Sequence, residues 1–172
     1  MMQQVNKCNN FNDDPLQLLE TEPVKIFKVP CYRVQLVKDG AFTSTSDPCS
    51  VTNPGSVFNM VKGDLSNIDR EYFLCLMLNT KNKVIGLNTV SIGSLSASIV
   101  HPREVFKPAI IAGAASVILI HNHPSGDPSP SQEDLEVTRR LHDAGNLLGI
   151  NVRDHLVIGD SCYFSFREKG LL

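Results

Sequence analysis

The sequence contains neither a CxxC pair nor a strong excess of charge of one sign, and each absence argues against one class of function. The five cysteines, Cys8, Cys31, Cys49, Cys75 and Cys162, are scattered, so we expect no cysteine-based metal site or redox motif. Reduced thiols in a cytoplasmic protein are the expected state. The net charge of -2 and the pI of about 6.2 lack the basic footprint typical of non-specific nucleic-acid binding.

Long apolar runs are also absent. No run approaches the roughly 20 residues that span a bilayer, and the opening stretch MMQQVNKCNNFNDD has no apolar signal core. We therefore expect neither a membrane partner nor secretion. A chain of 172 residues is long enough for one domain with a substantial core.

The first fifty residues differ from the rest. Residues 1–22 are polar with little periodicity, which predicts a flexible tail. Residues 32–38 alternate apolar and polar side chains, and this period of two predicts a strand. We place that strand in an N-terminal extension at residues 23–50.

From residue 51 onward, helix and strand patterns are interleaved. They predict, in chain order, a helix at 54–65, a strand hairpin from 71–78 and 82–92, a helix at 100–116, a strand at 117–120, a helix at 131–149 and short strands in 150–166. This mixture predicts a single α/β or α+β domain with a mixed sheet at residues 51–172.

The stretch HNHPSGDPSPSQED, residues 121–134, carries the strongest chemical signal. His121 and His123 follow an apolar strand and are two residues apart, so their side chains point to the same face. Ser131 is a candidate helix N-cap, and Asp134 lies in the first turn of that helix. Two imidazoles and one carboxylate suit zinc, with the fourth tetrahedral position left for water, as in catalytic sites.

Such a site would perform hydrolysis. Zinc lowers the pKa of a bound water to roughly 7, a nearby carboxylate serves as general base, and Ser131 is close enough in sequence to stabilise an oxyanion. Two alternatives stay open. Histidines in a loop are often plain surface residues, and a serine followed three residues later by an acid is also a capping-box pattern.

These residues resemble a known family. HNHPSGDPSPSQED matches the signature of JAMM (MPN-type) zinc metalloproteases, which is HxH, a seven-residue spacer that begins with proline, and SxxD. With GSLSASIVHPREVFKPAI upstream and RDHLVIGD downstream, residues 24–172 resemble the RadC-like branch. The resemblance implies a cytidine-deaminase-like fold, in which helices flank a curved mixed β-sheet. It also implies hydrolysis of peptide or isopeptide bonds, with Zn²⁺ held by His121, His123 and Asp134 and the oxyanion assisted by Ser131.

The general base is chosen from two glutamates. Relatives use a glutamate near the start of a core strand, a placement that Glu71 matches at the head of EYFLCLML. Glu104 in HPREVFK is the second choice, although an acid there is also typical of a helix start. Asp154 and His155 form a carboxylate–histidine pair that could support a zinc ligand from behind.

Two other functions compete with a peptidase acting on a peptide or protein. One is a DNA-repair or nucleic-acid-processing factor, a label that RadC-like proteins commonly carry but that the near-neutral charge does not support. The other is a protein-interaction scaffold stabilised by zinc. Structural zinc normally has four protein ligands, whereas this motif offers three, so we favour the hydrolase.

Overall fold

Five strands form one mixed sheet with helices packed on both faces. The computed structural model describes residues 33–38, 40, 51, 53–65, 68–93 and 100–172. The helices are α1 Pro54–Leu65, α2 Pro102–Ile111 and α3 Gln132–Leu148. The strands are β1 Tyr72–Leu78, β2 Val84–Ile92, β3 Ser116–Asn122, β4 Asn151–Ile158 and β5 Tyr163–Ser165. The α/β fold with a mixed sheet that the sequence predicted is therefore confirmed.

The sheet order is β2-β1-β3-β4-β5, which places β3 in the centre. β1 pairs antiparallel with both β2 and β3, and β4 pairs antiparallel with β5. β3 and β4 are parallel, so a crossover must carry the chain from the end of one strand to the start of the next. Helix α3 is that crossover, and it returns directly past the end of β3.

Both faces of the central strands are covered, which explains why their sequences are continuously apolar. Along β1, Phe73, Cys75 and Met77 belong to the core beneath α2 and α3. The alternating residues Leu74, Leu76 and Leu78 belong to a second core beneath α1. Burial of each such large side chain contributes about 1.5–3 kcal/mol.

Helix α3 begins and ends where the sequence predicts. Ser131 is its N-cap and forms a capping box with Asp134, while Gly149 adopts a left-handed φ of 70° at the C-terminus. Val137 and Leu141 face the core. The strong N-cap matters for the site, because it fixes the rotation of the first helical turn.

Helix α2 is shorter than predicted and contains Pro108. The helix continues for one turn past the proline, since the amide of Ala112 donates to the carbonyl of Pro108 at 2.9 Å. Gly113 then adopts a φ of 65°, and the amide of Ala115 bonds to the carbonyl of Leu78. The backbone thus leaves the helix to enter the sheet at β3.

The strand predicted at 32–38 was wrong over the residues that the structure describes. Residues 33–38 form neither strand nor helix and are exposed, with Val34 68% and Val37 77% exposed. Alternating side chains favour a strand only where a neighbouring strand and a core can accept them. Residues 1–22 and most of 23–50 lie outside the described residues. None of the helices described is long and apolar enough to cross a membrane.

Candidate metal centre

The end of the central strand brings two histidines together. His121 lies in β3 and is completely buried, whereas His123 follows the strand and keeps 15% of its side chain exposed. Their Nε2 atoms are 3.0 Å apart. The amide of His123 donates to the carbonyl of Ile158 at 2.9 Å, which extends the pairing with β4 and keeps both rings on one face.

Asp134 approaches the histidines from the first turn of α3. Its Oδ1 lies 3.2 Å from Nε2 of His121, and its Oδ2 lies 3.5 Å from Nε2 of His123. Oδ2 also accepts hydrogen bonds from the amide and the hydroxyl of Ser131, both at 2.7 Å. The capping box and the convergence on the histidines therefore coexist, because Oδ1 faces His121 while Oδ2 faces both Ser131 and His123.

Ser131 contacts the carboxylate directly. Its hydroxyl donates to Asp134 Oδ2 and accepts from the amide of Asp134 at 3.2 Å. In this arrangement the hydroxyl orients the carboxylate, and its oxygen lies at the rim of the site because Ser131 is exposed.

The loop between the histidines and α3 is held against the β4–β5 turn. The amide of Gly126 donates to the carbonyl of His123 at 3.0 Å, and the amide of Asp160 donates to the carbonyl of Gly126 at 3.2 Å. Nδ1 of His123 lies 2.8 Å from the carbonyl oxygen of Asp127. Since a carbonyl only accepts, that nitrogen carries the proton and Nε2 presents its lone pair to the site.

Nitrogen and oxygen atoms of His121, His123 and Asp134 lie within 4.8 Å of one another, so this group could hold a metal ion. Burial opposes the ionised form of Asp134, but the surrounding imidazoles and Ser131 outweigh it and hold the pKa of the carboxyl well below its usual range. The hydrogen bond with Asp134 raises the pKa of His123 despite partial burial. The site is therefore an ionised carboxylate beside two imidazoles.

Behind His121 lies a second buried imidazole. Nε2 of His155 is 2.8 Å from Nδ1 of His121, and Nδ1 of His155 is 2.6 Å from Oγ1 of Thr138. Phe73 and Phe166 enclose the ring of His155, with centroid distances of 5.4 and 4.9 Å. Burial lowers the pKa of His121 and lowers that of His155 well below 6.5, so both rings are neutral near pH 7.

Asp154 does not share the orientation of His155. Its carboxylate accepts from the amide of His155 at 2.8 Å, from the hydroxyl of Ser165 at 2.6 Å and from the amide of Arg167 at 3.0 Å. Consecutive strand residues point to opposite faces. The predicted carboxylate–histidine pair was therefore wrong: only the ring of His155 reaches a candidate ligand, and Asp154 ties β4 to the C-terminal turn.

Glu71 lies at the open end of the same face. β1 pairs Phe73 with His121, so Glu71, two residues earlier, shares the face of the histidines. The negative charge of Glu71 favours the protonated form of both histidines. Burial nevertheless lowers the pKa of His121, and the hydrogen bond with Asp134 is the main cause of the raised pKa of His123. The side chain of Asn122 anchors the backbone on either side of Glu71. Nδ2 of Asn122 donates to the carbonyl of Arg70 at 3.1 Å, and Oδ1 of Asn122 accepts from the backbone amide of Tyr72 at 2.8 Å.

Glu104 is placed differently. Its carboxylate is half-exposed in the first turn of α2 and accepts from Arg103 at 3.0 Å and Lys107 at 2.9 Å. Hydrogen bonds from Lys107 and Arg103 lower its pKa. These contacts are those of an acid that stabilises its own helix, whereas Glu71 shares the face of the two histidines.

Asn122 and Thr138 were not singled out from the sequence. Thr138 lies four residues after Asp134, so both share a face of α3, and this spacing was a usable signal. Asn122 had none, because its role depends on where β1 lies beside β3.

Comparison with known proteins shows the family of the chain. Residues 51–171 match the model of the RadC-like JAB domain. The chain is 53% identical over 137 residues to a UPF0758 protein of Caldanaerobacter subterraneus, covering 80% of this chain and 59% of that protein. It is 58% identical over 122 residues to the UPF0758 protein YsxA of Bacillus subtilis, covering 71% and 53%. The chain thus spans little more than half the length of the curated relatives it matches.

Proposed function

The chain belongs to the RadC-like JAB domain family, and from this membership and the metal centre we propose that it is a zinc-dependent hydrolase of peptide or isopeptide bonds. One observation carries the proposal. His121, His123 and Asp134 present three ligand atoms within 4.8 Å, and each histidine has its other ring nitrogen engaged elsewhere. A metal ion would complete this set by accepting one lone pair from each of the three residues.

The spacing of the ligand atoms supports zinc. Zinc bonds of about 2.0–2.1 Å in tetrahedral geometry separate ligand atoms by roughly 3.3 Å. The two Nε2 atoms are 3.0 Å apart, and Oδ1 of Asp134 lies 3.2 Å from Nε2 of His121. The 3.5 Å contact with Nε2 of His123 is made by the other carboxylate oxygen, Oδ2. Two imidazole nitrogens and one carboxylate, with a position left for water, form the donor set of zinc hydrolases.

The remaining steps fall to residues of the chain. Bound zinc would supply a Lewis acid that lowers the pKa of its water to about 7. Glu71 would accept the proton of the attacking water and deliver it to the leaving amine. Ser131, at the exposed rim, would turn its hydroxyl from Asp134 toward the developing oxyanion.

We propose a polypeptide as the substrate rather than a nucleic acid. The net charge of -2 provides no attraction for a phosphate backbone. The exposed part of the centre lies around His123 and Ser131, so a substrate would approach from the loop side. Oxyanion stabilisation and water activation at this position suit attack on an amide carbonyl.

The test combines metal content with hydrolysis. The protein is stripped with a chelator, reloaded with zinc, analysed by elemental mass spectrometry and assayed on peptide libraries and isopeptide-linked substrates. We expect about one zinc per chain and zinc-dependent cleavage. Asp134→Asn should lose both, whereas Glu71→Gln should keep zinc and lose cleavage by at least about 100-fold.

Glu104→Gln is the matched control, since it removes an equivalent charge outside the site and should leave metal content and cleavage unchanged. Cleavage by Glu71→Gln at the wild-type rate would overturn the role of Glu71. Stoichiometric zinc without cleavage of any substrate would instead favour a zinc-stabilised scaffold.

A further inference from the structure

A line of buried hydrogen bonds runs from α3 to the metal centre. It begins at the carbonyl of Asp134, 2.6 Å from Oγ1 of Thr138, and continues to Nδ1 of His155 at 2.6 Å. Nε2 of His155 then meets Nδ1 of His121 at 2.8 Å. Thr138, His155 and His121 are all at most 2% exposed, so water does not compete for these contacts.

The protons along this line can be placed one at a time. The carbonyl of Asp134 can only accept, so the hydroxyl proton of Thr138 points to it. Oγ1 of Thr138 must then accept, so Nδ1 of His155 carries a hydrogen. A buried neutral imidazole carries one proton, which leaves Nε2 of His155 as an acceptor. Nδ1 of His121 must therefore donate, and its Nε2 faces Asp134 and His123 without a proton.

We propose that Thr138 and His155 are positioning residues that fix His121 in its metal-binding tautomer. Hydrogen bonds that hold the far nitrogen of a liganding histidine set its tautomer and orientation. Here the direction is set by a helix carbonyl, which cannot reverse. The tautomer of His123 is fixed by a single hydrogen bond of the same kind, in which Nδ1 donates to the carbonyl of Asp127.

This inference rests on the proposed metal site but does not require hydrolysis. Without the hydroxyl of Thr138, Nδ1 of His155 loses its acceptor, and the tautomer with hydrogen on Nε2 becomes competitive. That hydrogen would point at Nδ1 of His121 and move the proton of His121 to Nε2, where a metal must bind. Metal affinity should therefore fall although no ligand has changed.

The experiment uses the metal-free full chain and three forms: wild type, Thr138→Val and Thr138→Ser. Long-range proton–nitrogen NMR correlation of the imidazoles reports which ring nitrogen is protonated. In the wild type we expect hydrogen on Nδ1 of both His121 and His155. Zinc affinity is measured by competition with a chromophoric chelator, and we expect Thr138→Val to weaken it about 10–100-fold.

Thr138→Ser keeps the hydroxyl and should restore both the tautomer and the zinc affinity. Hydrogen on Nε2 of His121 in the metal-free wild type would overturn the proposal even if no variant folds. It would also be overturned if Thr138→Val lowered thermal stability but kept wild-type tautomers and affinity within twofold. Tight zinc binding without hydrolysis would remove the proposed activity and leave this inference standing.

Discussion

The side chain of Asn122 bonds to the backbone on both sides of Glu71, at the carbonyl of Arg70 and the amide of Tyr72. The pairing between β1 and β3 ends at Phe73 and His121, so Asn122 holds the chain where the backbone ladder has stopped. The residue between the two histidines of the motif thus connects the candidate metal ligands to the proposed base.

Replacing Asn122 with alanine should impair cleavage more than metal binding. The change leaves two backbone groups without these partners, which costs about 1–3 kcal/mol, and it frees Glu71 from its position. We expect zinc content to stay near one per chain while kcat falls by at least about 10-fold, because misplaced groups react poorly. Asn88→Ala is the control, since the Asn88 side chain donates to the carbonyl of its neighbour Thr89 on the edge strand β2. Loss of zinc in step with kcat would contradict this division.

Close packing of Gly126 against Gly159 predicts a second effect. A Cβ at Gly159 would collide with the carbonyl oxygen of Gly126, so Gly159→Ala must displace the loop that follows His123. Overpacking of this kind costs about 1–3 kcal/mol, and we expect weaker zinc binding as well. Gly63→Ala is the control, because a Cβ there meets no atom within 4 Å and alanine favours a helix by about 1 kcal/mol. Unchanged urea midpoint and zinc affinity in Gly159→Ala would show that the loop adapts freely.

The metal-free protein should lose stability as the pH falls below about 6.5. Burial lowers the pKa of His121 and of His155 from 6.5, so the unfolded chain takes up protons there that the folded chain does not. Each such histidine removes up to about 1.4 kcal/mol per pH unit. The raised pKa of His123 has the opposite effect on stability, but it concerns one histidine, whereas the loss of stability comes from two.

Urea unfolding in the presence of a chelator, at pH 7.5 and at about pH 5.5, measures this difference. The midpoint should fall at the lower pH. His142→Gln should show the same fall, because His142 lies at the surface of α3. A midpoint that stays constant or rises would mean that the buried imidazoles take up protons in the folded state.

Zinc should stabilise the fold in proportion to its affinity. At a free concentration about 100-fold above Kd, a ligand that binds only the folded state adds about 2.7 kcal/mol. Thermal unfolding with and without zinc should show this increase in the wild type and not in Asp134→Asn. Asp143→Asn is the control, since that carboxylate is 73% exposed on α3. If zinc raised the stability of Asp134→Asn as much as that of Asp143→Asn, the metal would bind at another site.

The sequence predicted the parts of the site that depend on local spacing. His121 and His123 share a face because they are two residues apart near a strand end, and Ser131 and Asp134 share a helical turn. These relationships hold in any fold that keeps the local elements. The order of strands and helices after residue 51 was predictable for the same reason, since each apolar run was long and clearly bounded.

Relationships between distant strands were not readable in the same way. His155 meets His121 because β4 lies parallel to β3 in one particular register, and Asn122 reaches β1 because β1 lies on the other side. Asp154 was misjudged because adjacent strand residues face opposite ways. The alternation at 33–38 was misleading, since no periodicity in the chain reveals whether a neighbouring strand is present.

The central position of β3 has a consequence for exchange. Termini, loops and edges of a sheet open locally at small free-energy cost, while core strands open only with the whole molecule. His121 lies on β3, which has two strands of the sheet on each side and helices packed on both of its faces. We expect the amide hydrogen of His121 to exchange only through global unfolding. A bound metal should dissociate either from the side of the more exposed His123 or when the whole domain unfolds.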